Sequence, residues 1–562
     1  MVNSVGRKSG QALACSVKTS FYAPLNPAPA HPTCFPPVQQ TMEDMPLPLL
    51  IGSLFIILAM WYILFHHGSE NNAKWSRLPL PPGPCGWPLL GNLPQLGAKP
   101  HHTMCALAWE HGPLFRLRLG STEVVVASSA GIAMQFLRHH DANFSNRPPN
   151  SGAEHIAYNY QDLVFASYGT RWRALRKLCA LHLFSAKALN NLRNVREGEV
   201  RLMVRELAWA AAGPAPAVAL GQQANMCVTN TLARATIGRR VFAVDTAREF
   251  KEMVVELMQL AGVFNLGDFV PALRWLDPQG VVAKMKRLHR RYDNMMNGFI
   301  KEREPACLSA GAEAKDLLSV MLVKMREQQP LYHEEGKLTN TDIKALLLNL
   351  FTAGTDTASS TVEWALAELI RHPDVLKQVQ RELDVVVGND RLVSESDLPG
   401  LTFLPAVIKE TFRLHPPTPL SLPRVAAEEC EVNGYHIPKG TTLLVNVWAI
   451  ARDPASWPDH PLEFRPVRFL PGGSHESLDV KGSDYELIPF GAGRRICAGL
   501  GWGIQMVTLM TTTLVHAFDW SLVDGMTPDK LDMEEAYGLT LQRAMPLFVQ
   551  PVPRLLPSAY AM

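Results

Sequence analysis

Apolar residues recur at helical spacing through most of the chain between residues 160 and 420. Residues 250–258 show this pattern in the run Phe-Lys-Glu-Met-Val-Val-Glu-Leu-Met. Residues 115–119 alternate apolar and basic side chains, and residues 124–126 are consecutive valines, so both stretches predict strands. The pattern as a whole predicts a mainly α-helical protein with small β-sheets.

The longest predicted helix covers about residues 341–372, where the apolar pattern is continuous and Pro373 ends it. It contains the run Ala-Gly-Thr-Asp-Thr at residues 353–357. A glycine inside a helix costs about 1 kcal/mol relative to alanine, which indicates a kink or a close neighbour at this point. The hydroxyl of Thr357 can bond the carbonyl of Ala353 or turn into a pocket.

A different pattern occupies residues 47–65, a run without any charged side chain. Its length and all-round apolarity predict a helix that crosses a bilayer, with a buried helix of a globular protein as the alternative. Glu43 and Asp44 precede the run, whereas Lys74 and Arg77 follow it. Positive charge on the carboxyl-terminal side predicts that the body of the protein faces the cytosol.

The chain before the main domain divides into three predicted parts. Residues 1–44 are basic and rich in proline, which fits a transit peptide or an extension absent from the native protein. We favour the extension, because a methionine directly before the apolar run could start translation. Residues 45–66 form the predicted anchor, and residues 67–94 contain a Leu-Pro-Pro-Gly-Pro run that predicts a stiff hinge. Residues 95–562 form one large domain, since no linker divides them.

Composition excludes several classes of protein. The 562 residues carry 54 Lys and Arg against 52 Asp and Glu, a balance that argues against a nucleic-acid partner. Nine cysteines without a Cys-x-x-Cys pair argue against a disulfide framework or a zinc site and favour a reducing compartment. The histidine pairs at residues 66–67 and 101–102 lack metal-ligand spacing, so we expect them to face solvent near the membrane.

The candidate chemistry lies at residues 490–499, Phe-Gly-Ala-Gly-Arg-Arg-Ile-Cys-Ala-Gly. Glycines let the backbone close around Cys497, and Arg495 places a cation two residues before it. A thiolate ligand to haem iron needs such shielding, backbone N–H donors and a cation that can pair with a haem propionate. The alternative is an ordinary buried cysteine in a glycine-rich turn.

The pattern Phe-x-x-Gly-x-Arg-x-Cys-x-Gly resembles the haem-binding loop of the cytochrome P450 superfamily. The resemblance implies the cytochrome P450 fold, a helical body with small β-sheets, here with one N-terminal transmembrane helix. It implies haem b as the cofactor, with Cys497 as the axial thiolate ligand and the metal-binding residue. Arg495, Phe490 and Gly493 would also contribute to the haem-binding loop.

The run at residues 353–357 resembles the oxygen-activation segment of the same family. Asp356 and Thr357 would then deliver protons during oxygen activation, and Ala353 would face the substrate. The alternative is a capping or core threonine in an ordinary helix.

Glu410 and Arg413 stand three residues apart on one predicted helical face. Alone, they predict an exposed ion pair of little energetic value. The family has a Glu-x-x-Arg pattern followed by an aromatic-Arg segment, which matches Arg468 here. The resemblance therefore implies that the three residues form a buried charge network that supports the haem side of the core.

Trp172 and Arg176 match a further family pattern, Trp-x-x-x-Arg, on another predicted helix. The indole N–H and the guanidinium can each reach a haem propionate. Arg424 matches one more propionate contact. These motifs follow the family's order over roughly residues 79–550.

Within the superfamily, four stretches resemble plant flavonoid 3'-hydroxylases: residues 124–129, 264–269, 478–482 and 535–542. Thr540 lies in the last of them, where 3',5'-hydroxylases tend to carry a smaller residue. Thr540 would therefore face the substrate and limit the reaction to one hydroxylation. The alternative is a strand residue that packs on its neighbours.

The resemblance implies addition of one hydroxyl group to the 3' position of the flavonoid B-ring, in naringenin, dihydrokaempferol, kaempferol or apigenin. Residues 150–165, 346–353 and 420–422 would line the substrate pocket together with Thr540. Rival hypotheses are a flavonoid 3',5'-hydroxylase, a P450 for another plant metabolite, a haem-thiolate isomerase or dehydratase, and a non-catalytic haem-binding protein.

The implied reaction needs O2 and electrons. The sequence has no glycine-rich dinucleotide motif in a strand–helix context, so a separate NADPH–cytochrome P450 reductase would pass electrons from NADPH. The other implied partners are the flavonoid and membrane lipid. The predicted location is the endoplasmic reticulum membrane, with a single crossing and the catalytic domain on the cytosolic face.

Overall fold

The computed structural model describes residues 78–561, apart from residues 214–216, 243–245, 308–315, 328–329, 333–334 and 524. The predicted extension, the predicted anchor and the first part of the predicted hinge lie outside these described residues. Within the described residues, no helix has both the length and the apolar character needed to cross a membrane.

Helices form most of the described chain, as the apolar periodicity predicts. In chain order they are α1 (Pro100–His111), α2 (Ala130–Met134), α3 (Ser151–His155), α4 (Thr170–Cys179), α5 (Ala186–Asn191), α6 (Arg193–Ala212), α7 (Leu220–Ile237), α8 (Thr246–Gly262), α9 (Leu266–Phe269), α10 (Val281–Cys307), α11 (Leu317–Arg326), α12 (Asn340–Arg371), α13 (Pro373–Val386), α14 (Phe403–Leu414), α15 (Val447–Ile450) and α16 (Leu500–Ala517). The periodic run at residues 250–258 lies inside α8, so its helical prediction is confirmed.

Short strands make up the small sheets that the pattern predicts. In chain order they are β1 (Leu114–Leu119), β2 (Thr122–Ala127), β3 (Val218–Ala219), β4 (Pro330–Tyr332), β5 (Glu335–Lys337), β6 (Arg424–Val425), β7 (Cys430–Val432), β8 (Tyr435–Ile437), β9 (Thr442–Val445), β10 (Phe518–Leu522), β11 (Glu535–Ala536), β12 (Gln542–Arg543) and β13 (Phe548–Pro553). The largest described sheet has the order β1-β2-β9-β6, and a second has the order β10-β13-β3. The pairs β4-β5, β7-β8 and β11-β12 are separate.

Strands β1 and β2 form where the alternating and valine-rich stretches predict them. They pair antiparallel, with Leu114 opposite Ala127. Strand β2 also pairs parallel with β9, with Val124 opposite Thr442. Strand β2 is therefore paired on both edges. Valine suits such a strand because its branched side chain packs well on a pleated surface.

Helix α12 lies at the centre of the helical body. It begins after Thr339, whose hydroxyl accepts the backbone N–H of Asp342, while Asp342 accepts the N–H of Thr339 in return. It ends at Arg371, and Pro373 begins the next helix, which confirms the predicted bounds to within one residue. Because α7, α14 and α16 pack around it, α12 is buried on most of its faces, and Trp364 is almost wholly buried.

Gly354 has a packing reason to stand inside α12. A Cβ at this position would lie 2.8 Å from Cδ1 of Leu232 on α7. The close neighbour that a mid-helix glycine predicts is therefore present, and it is helix α7.

The described part of the proline-rich segment packs along the outer edge of β1. The N–H of Arg116 donates to the carbonyl of Pro82 at 2.7 Å, and the N–H of Arg118 donates to Oδ1 of Asn92 at 2.7 Å. A Cβ on Gly83 would overlap the carbonyl oxygen of Arg116, so only glycine fits at this position. This segment is fixed to the sheet, and bending remains a prediction for the residues that precede it.

The expectation that both His101 and His102 face solvent is wrong for His101, whereas 42% of the His102 side chain is exposed. His101 is fully buried at the start of α1, and Nε2 of each histidine lies within hydrogen-bond distance of Oε2 of Glu535, at 3.0 and 2.9 Å. Oε1 of Glu535 accepts the indole N–H of Trp448 at 3.1 Å and lies 3.7 Å from Arg452. A buried carboxylate needs such partners, so the cluster holds α1 against β11 through its own hydrogen bonds.

Candidate active site

A cavity of about 280 Å³ lies between helix α12 and the loop that carries Cys497. Helix α12 contributes Ala353, Gly354 and Thr357 to its wall, and the thiol of Cys497 is part of the facing wall. Most of the remaining wall is apolar. The predicted metal ligand and the predicted oxygen-activation segment therefore share one cavity.

Hydrogen bonds within the loop fix the position of Cys497. The backbone N–H of Cys497 donates to the carbonyl of Phe490 at 3.0 Å, and the N–H of Ile496 donates to the carbonyl of Gly493 at 3.0 Å. Gly493 has a φ of +69°, and a Cβ there would overlap Asp141. Glycine is therefore needed at this turn for both its backbone conformation and its size.

Phe490 anchors the other end of the loop. Its ring packs edge-on against Phe412 of α14 at 5.1 Å between ring centroids. It also lies against α16, where a Cβ on Gly503 would be 3.3 Å from the ring. Phe490 therefore joins the cysteine loop to two helices of the core.

Cys497 lies just before the N-terminus of α16, and its exposed surface faces the cavity. Burial in the protein raises the pKa of its thiol, while the backbone N–H of Gly499 and the charge of Arg176 oppose that rise. The helix N-terminus also favours a negative sulfur. A metal ion bound at Sγ would make the thiolate the stable form.

Four arginines surround the same cavity: Arg147, Arg176, Arg424 and Arg495. Nε and Nη2 of Arg495 donate to backbone carbonyls, but its Nη1 is buried without a partner in the described chain. Burial and the neighbouring charge of Arg424 lower the pKa of Arg495 to about 10. Because guanidinium groups stay charged in proteins, this crowding predicts an anionic ligand.

A haem fits these features. Its flat macrocycle is apolar, and its two propionates would supply the negative charge that the arginines lack. The indole N–H of Trp502, also in the cavity wall, is buried without a partner among the described residues. Cys497 is the one cysteine in the described wall and would provide the thiolate ligand of the iron.

Arg424 and Arg147 reach the cavity from neighbouring segments. Nη2 of Arg424 donates to the carbonyl of Ala492 at 2.8 Å, next to the cysteine loop. Nη1 of Arg147 donates to the carbonyls of Leu422 and Pro423, both at 2.8 Å. The family motifs predict Arg424, whereas no spacing or motif in the sequence singles out Arg147.

Trp172 and Arg176 lie one turn apart on α4, and both line the cavity. The indole N–H of Trp172 donates to the carbonyl of Leu163 at 3.1 Å. The guanidinium carbon of Arg495 lies 4.7 Å from the centre of the Trp172 ring. The Trp172 ring thus packs against the guanidinium of Arg495. A hydrogen bond from Trp172 to a haem propionate remains a prediction.

Thr357 combines the two arrangements that the sequence allows, a bond to the carbonyl of Ala353 and a position in a pocket wall. Its side chain lines the cavity, and its Oγ1 donates to the carbonyl of Ala353 at 2.7 Å. The hydroxyl is therefore at the cavity wall but bonded to its own helix.

Asp356 lies outside the described wall of the cavity. Its Oδ1 accepts Nδ2 of Asn225 at 3.2 Å, and its Oδ2 accepts Nε2 of Gln542 at 2.7 Å. Burial raises the pKa of this carboxyl. Successive residues of a helix point about 100° apart, so Asp356 lies beside Thr357 on another face of α12. No sequence motif identified its partners Asn225 and Gln542.

Glu410, Arg413 and Arg468 lie together in the core, with 0%, 0% and 3% of their surface exposed. Oε2 and Oε1 of Glu410 accept Nε and Nη2 of Arg413 at 2.7 and 2.8 Å, and Oε1 also accepts Nε of Arg468 at 3.2 Å. Both guanidinium groups lie over the ring of Trp457. The structure brings the three residues together, and the exposed-pair alternative is wrong.

A second cavity of about 1020 Å³ shares Thr418, Ser421 and Leu422 with the first. Leu539 lines the second cavity, whereas Thr540 is 4% exposed and lines neither cavity of the described chain. Thr540 is thus packed inside the protein, next to a wall residue of the second cavity. The structure therefore differs from the direct substrate contact predicted for Thr540.

The other predicted substrate segments contribute in part. Residues 150–165 and 420–422 supply wall residues to the two cavities. Of residues 346–353, the last turn faces the first cavity, while Leu346 is fully buried in the core. Asn349 belongs to that last turn, and its spacing of four from Ala353 could have identified it.

Comparison with known protein families identifies the family of this chain. Residues 81–548 match the family model described as Cytochrome P450. The chain belongs to the cytochrome P450 family. It is thus a haem-thiolate P450 with a mainly helical fold and small sheets, and its family and relatives make it an oxygen-dependent monooxygenase.

The similarity between this P450 and its relatives extends over almost the whole length of each relative. It is 75% identical to a flavonoid 3'-monooxygenase of Oryza sativa subsp. japonica, over 92% of this chain and 100% of the relative. It is 54% identical to a flavonoid 3',5'-hydroxylase of Crocosmia x crocosmiiflora, over 93% of this chain and 99% of the relative. A solved zebra fish cytochrome P450 with progesterone has a TM-score of 0.68 at 26% identity, over 81% of this chain and 99% of that one.

Proposed function

We propose that this P450 adds one hydroxyl group to the 3' position of the flavonoid B-ring, in naringenin, dihydrokaempferol, kaempferol or apigenin. Its 75% identity to the rice flavonoid 3'-monooxygenase supports that substrate class. The mainly apolar cavity suits a flat phenolic molecule. The observation that carries the proposal is geometric: Cys497 and Thr357 line one cavity that arginines surround.

Cys497 would hold haem b through its thiolate, and Arg147, Arg176, Arg424 and Arg495 would pair with the propionates. Bound there, a haem with a thiolate ligand supplies the activation of O2, because the thiolate favours O–O cleavage. Nη1 of Arg495 is the buried donor that still lacks an acceptor within the described residues. A buried donor without an acceptor is energetically costly, and pairing with a propionate carboxylate would remove this cost.

Thr357 and Asp356 would deliver protons to the cavity. Oγ1 of Thr357 now donates to the carbonyl of Ala353, and rotation about its Cα–Cβ bond would turn the same proton into the cavity. Asp356 would replace that proton, and burial raises the pKa of its carboxyl. Asn225 and Gln542 hold the carboxyl beside the helix and would release it when it moves.

Electrons would come from NADPH through a separate NADPH–cytochrome P450 reductase. Residues 45–66 would anchor the protein in the endoplasmic reticulum membrane by a single crossing, in contact with membrane lipid. Residues 67–94 would connect this anchor to a catalytic domain of residues 95–562 on the cytosolic face. The positive charge that follows the apolar run supports this orientation.

A flavonoid 3',5'-hydroxylase is the second candidate. The Crocosmia relative of that name is 54% identical to this chain over nearly its whole length. The two activities differ in whether the B-ring is hydroxylated a second time, so the products distinguish them.

The test uses microsomes that contain the full-length protein and a plant reductase, supplied with NADPH and naringenin. A single added oxygen at the 3' position is expected. Hydroxylation at both the 3' and 5' positions would favour the second candidate. No product, despite a normal carbon monoxide difference spectrum, would reject the flavonoid assignment.

Two cysteine variants complete the experiment. Cys497→Ala should lose both the product and the red-shifted carbon monoxide band, because it removes the thiolate. Cys430→Ala is the matched control, since Cys430 is buried in β7 and lies outside the described walls of both cavities. It should retain the band and the product.

A further inference from the structure

Helix α12 holds a loop of the cavity wall through one asparagine. Oδ1 of Asn349 accepts the backbone N–H groups of Leu163 and Val164 at 2.7 and 3.1 Å. Nδ2 of Asn349 donates to Oδ2 of Asp162 at 2.8 Å. Oδ1 of Asp162 accepts the N–H of Phe165 at 2.8 Å. Two side chains, each bonded to the other, therefore fix residues 162–165.

This loop faces the space where the substrate would lie. Leu163 and Val164 line the first cavity, and Phe165 lines the second. Asn349 itself lines the first cavity two turns before Thr357, on the same face of α12. The loop and the reactive face of the helix are thus held at a fixed separation by Asn349.

The same loop also supports the arginine cluster. The carbonyl of Val164 accepts Nε of Arg147 at 3.2 Å. The carbonyl of Ala166 accepts Nη2 of Arg495 at 2.5 Å. A displacement of the loop would therefore alter the cavity wall and two of its cations together.

The backbone before the loop needs an external anchor. Tyr158, Asn159 and Tyr160 have φ values of 51°, 54° and 61°, the left-handed region that non-glycine residues rarely adopt. Such residues are strained, so the turn persists only where other contacts determine it. Asn349 and Asp162, 7% and 0% exposed, bond the residues that directly follow this turn, away from water, where a lost hydrogen bond is costly.

We propose that Asn349 and Asp162 are positioning residues, which set how the flavonoid B-ring lies in the cavity by fixing the loop of residues 162–165. The inference rests on the proposed function and adds to it two residues that would not contact the reacting atoms. A loosened loop would leave the iron ligand in place but let the B-ring take more than one orientation.

Exchange of the two side chains tests the pair. Asn349→Asp replaces the amide donor with a second carboxyl against Asp162, so two like charges meet unless one carboxyl takes up a proton. The double variant Asn349→Asp with Asp162→Asn restores the pattern. The new carboxylate at position 349 accepts the loop N–H groups, and the new amide at position 162 donates to it and accepts the N–H of Phe165.

The measurements are the naringenin dissociation constant from the Soret shift, the product formed per NADPH, and the ratio of products. Asn349→Asp should keep the carbon monoxide band, weaken naringenin binding at least about fivefold, and lower product per NADPH. The exchanged double variant should return both values to within about twofold of the wild type, as expected for two residues that act as one unit.

Asn230→Ala is the matched control for Asn349→Ala. Oδ1 of Asn230 also accepts two backbone N–H groups, those of Val241 and Phe242 at 3.0 and 2.9 Å, and Asn230 is 1% exposed on α7. Both alanine variants should lower the melting temperature, but only Asn349→Ala should change binding and coupling.

Three outcomes would overturn the inference. Unchanged binding and coupling in Asn349→Asp would reject it while leaving the proposed function intact. An exchanged variant no better than Asn349→Asp would reject the pair as a unit. Absence of a flavonoid product from the wild type would reject the proposed function, and this inference with it.

Discussion

Asp141 holds Arg494 in the cysteine loop by three hydrogen bonds. Its two carboxylate oxygens accept the backbone N–H of Arg494 at 3.1 and 2.9 Å, and Oδ2 also accepts Nη1 of that residue at 3.0 Å. Gly493 lies so close to Asp141 that a Cβ would overlap the carboxylate. One acid therefore determines the turn that presents Cys497 to the cavity.

Gly493→Ala should impair haem retention. The variant meets both the unfavourable φ and the carboxylate of Asp141, so the loop must move. Gly440→Ala is the control, because Gly440 has a φ of +82° but no atom within 4 Å of its would-be Cβ, and should cost only about 1–2 kcal/mol. Haem content per protein, measured by the pyridine haemochrome assay, should fall in the first variant alone. Equal haem content in the two would contradict this role of Asp141.

Glu410→Gln should destabilise the protein strongly. It leaves the guanidinium groups of Arg413 and Arg468 buried without their carboxylate, a loss of about 3–5 kcal/mol. Glu302→Gln is the control, since Glu302 pairs with Arg239 at the surface and an exposed pair contributes about 1 kcal/mol or less. Melting temperature and haem content report the difference. A Glu410→Gln protein that melts like Glu302→Gln would show that the network contributes little.

Thr357→Ala should keep haem but divert electrons to hydrogen peroxide. The variant removes the hydroxyl at the cavity wall, so proton delivery becomes less ordered. Thr231→Ala removes an equivalent helical hydroxyl, bonded to the carbonyl four residues back on α7, and should not affect coupling. Peroxide and product are measured per NADPH consumed. Full coupling in Thr357→Ala would remove the proposed role of this residue.

Acid should weaken the core through Glu368. Burial opposes ionisation of its carboxyl, but hydrogen bonds from His372 and His415 outweigh burial and lower the pKa to about 2, from an ordinary value of 4.5. The stability that the ionised carboxylate contributes is therefore complete above about pH 4.5 and is lost as pH falls toward 2. Melting temperature should fall more steeply over this range in the wild type than in Glu368→Gln. Parallel pH profiles would contradict the prediction.

Thr540→Ser should allow some second hydroxylation. Thr540 is buried next to Leu539 in the chain, and Leu539 lines the second cavity, so a smaller residue at position 540 would let that wall move outward. Thr355→Ser is the matched control, since Thr355 is also buried with a hydroxyl that lacks a partner in the described chain. Product analysis should show 3',5'-hydroxylated flavonoid from the first variant only. A purely 3'-hydroxylated product from both would remove Thr540 from the specificity argument.

Local signals in the sequence predicted the parts of the site that depend on local geometry. The glycines around Cys497 and the apolar periodicity of α12 act over a few residues, and the structure places both as predicted. The bond between Asn349 and Asp162 joins residues 187 positions apart and follows no period. Nothing in a single sequence marks such a contact.

The error at His101 has the same physical origin. A histidine pair without metal-ligand spacing predicts an exposed position, because an unpaired buried imidazole is costly. Glu535, which stands 434 positions later, provides the partner that makes burial acceptable. The sequence contains both residues but no sign that they meet.

The contacts of the proline-rich segment with β1 determine where the protein can be shortened. Pro82 and Asn92 accept the outward N–H groups of Arg116 and Arg118, which would otherwise form the open edge of the largest described sheet. A form that begins after Asn92 would offer this edge to strands of other molecules, the usual route to aggregation between sheets. A form that begins before Pro81 keeps the edge closed, so residues 82–92 protect the sheet from self-association.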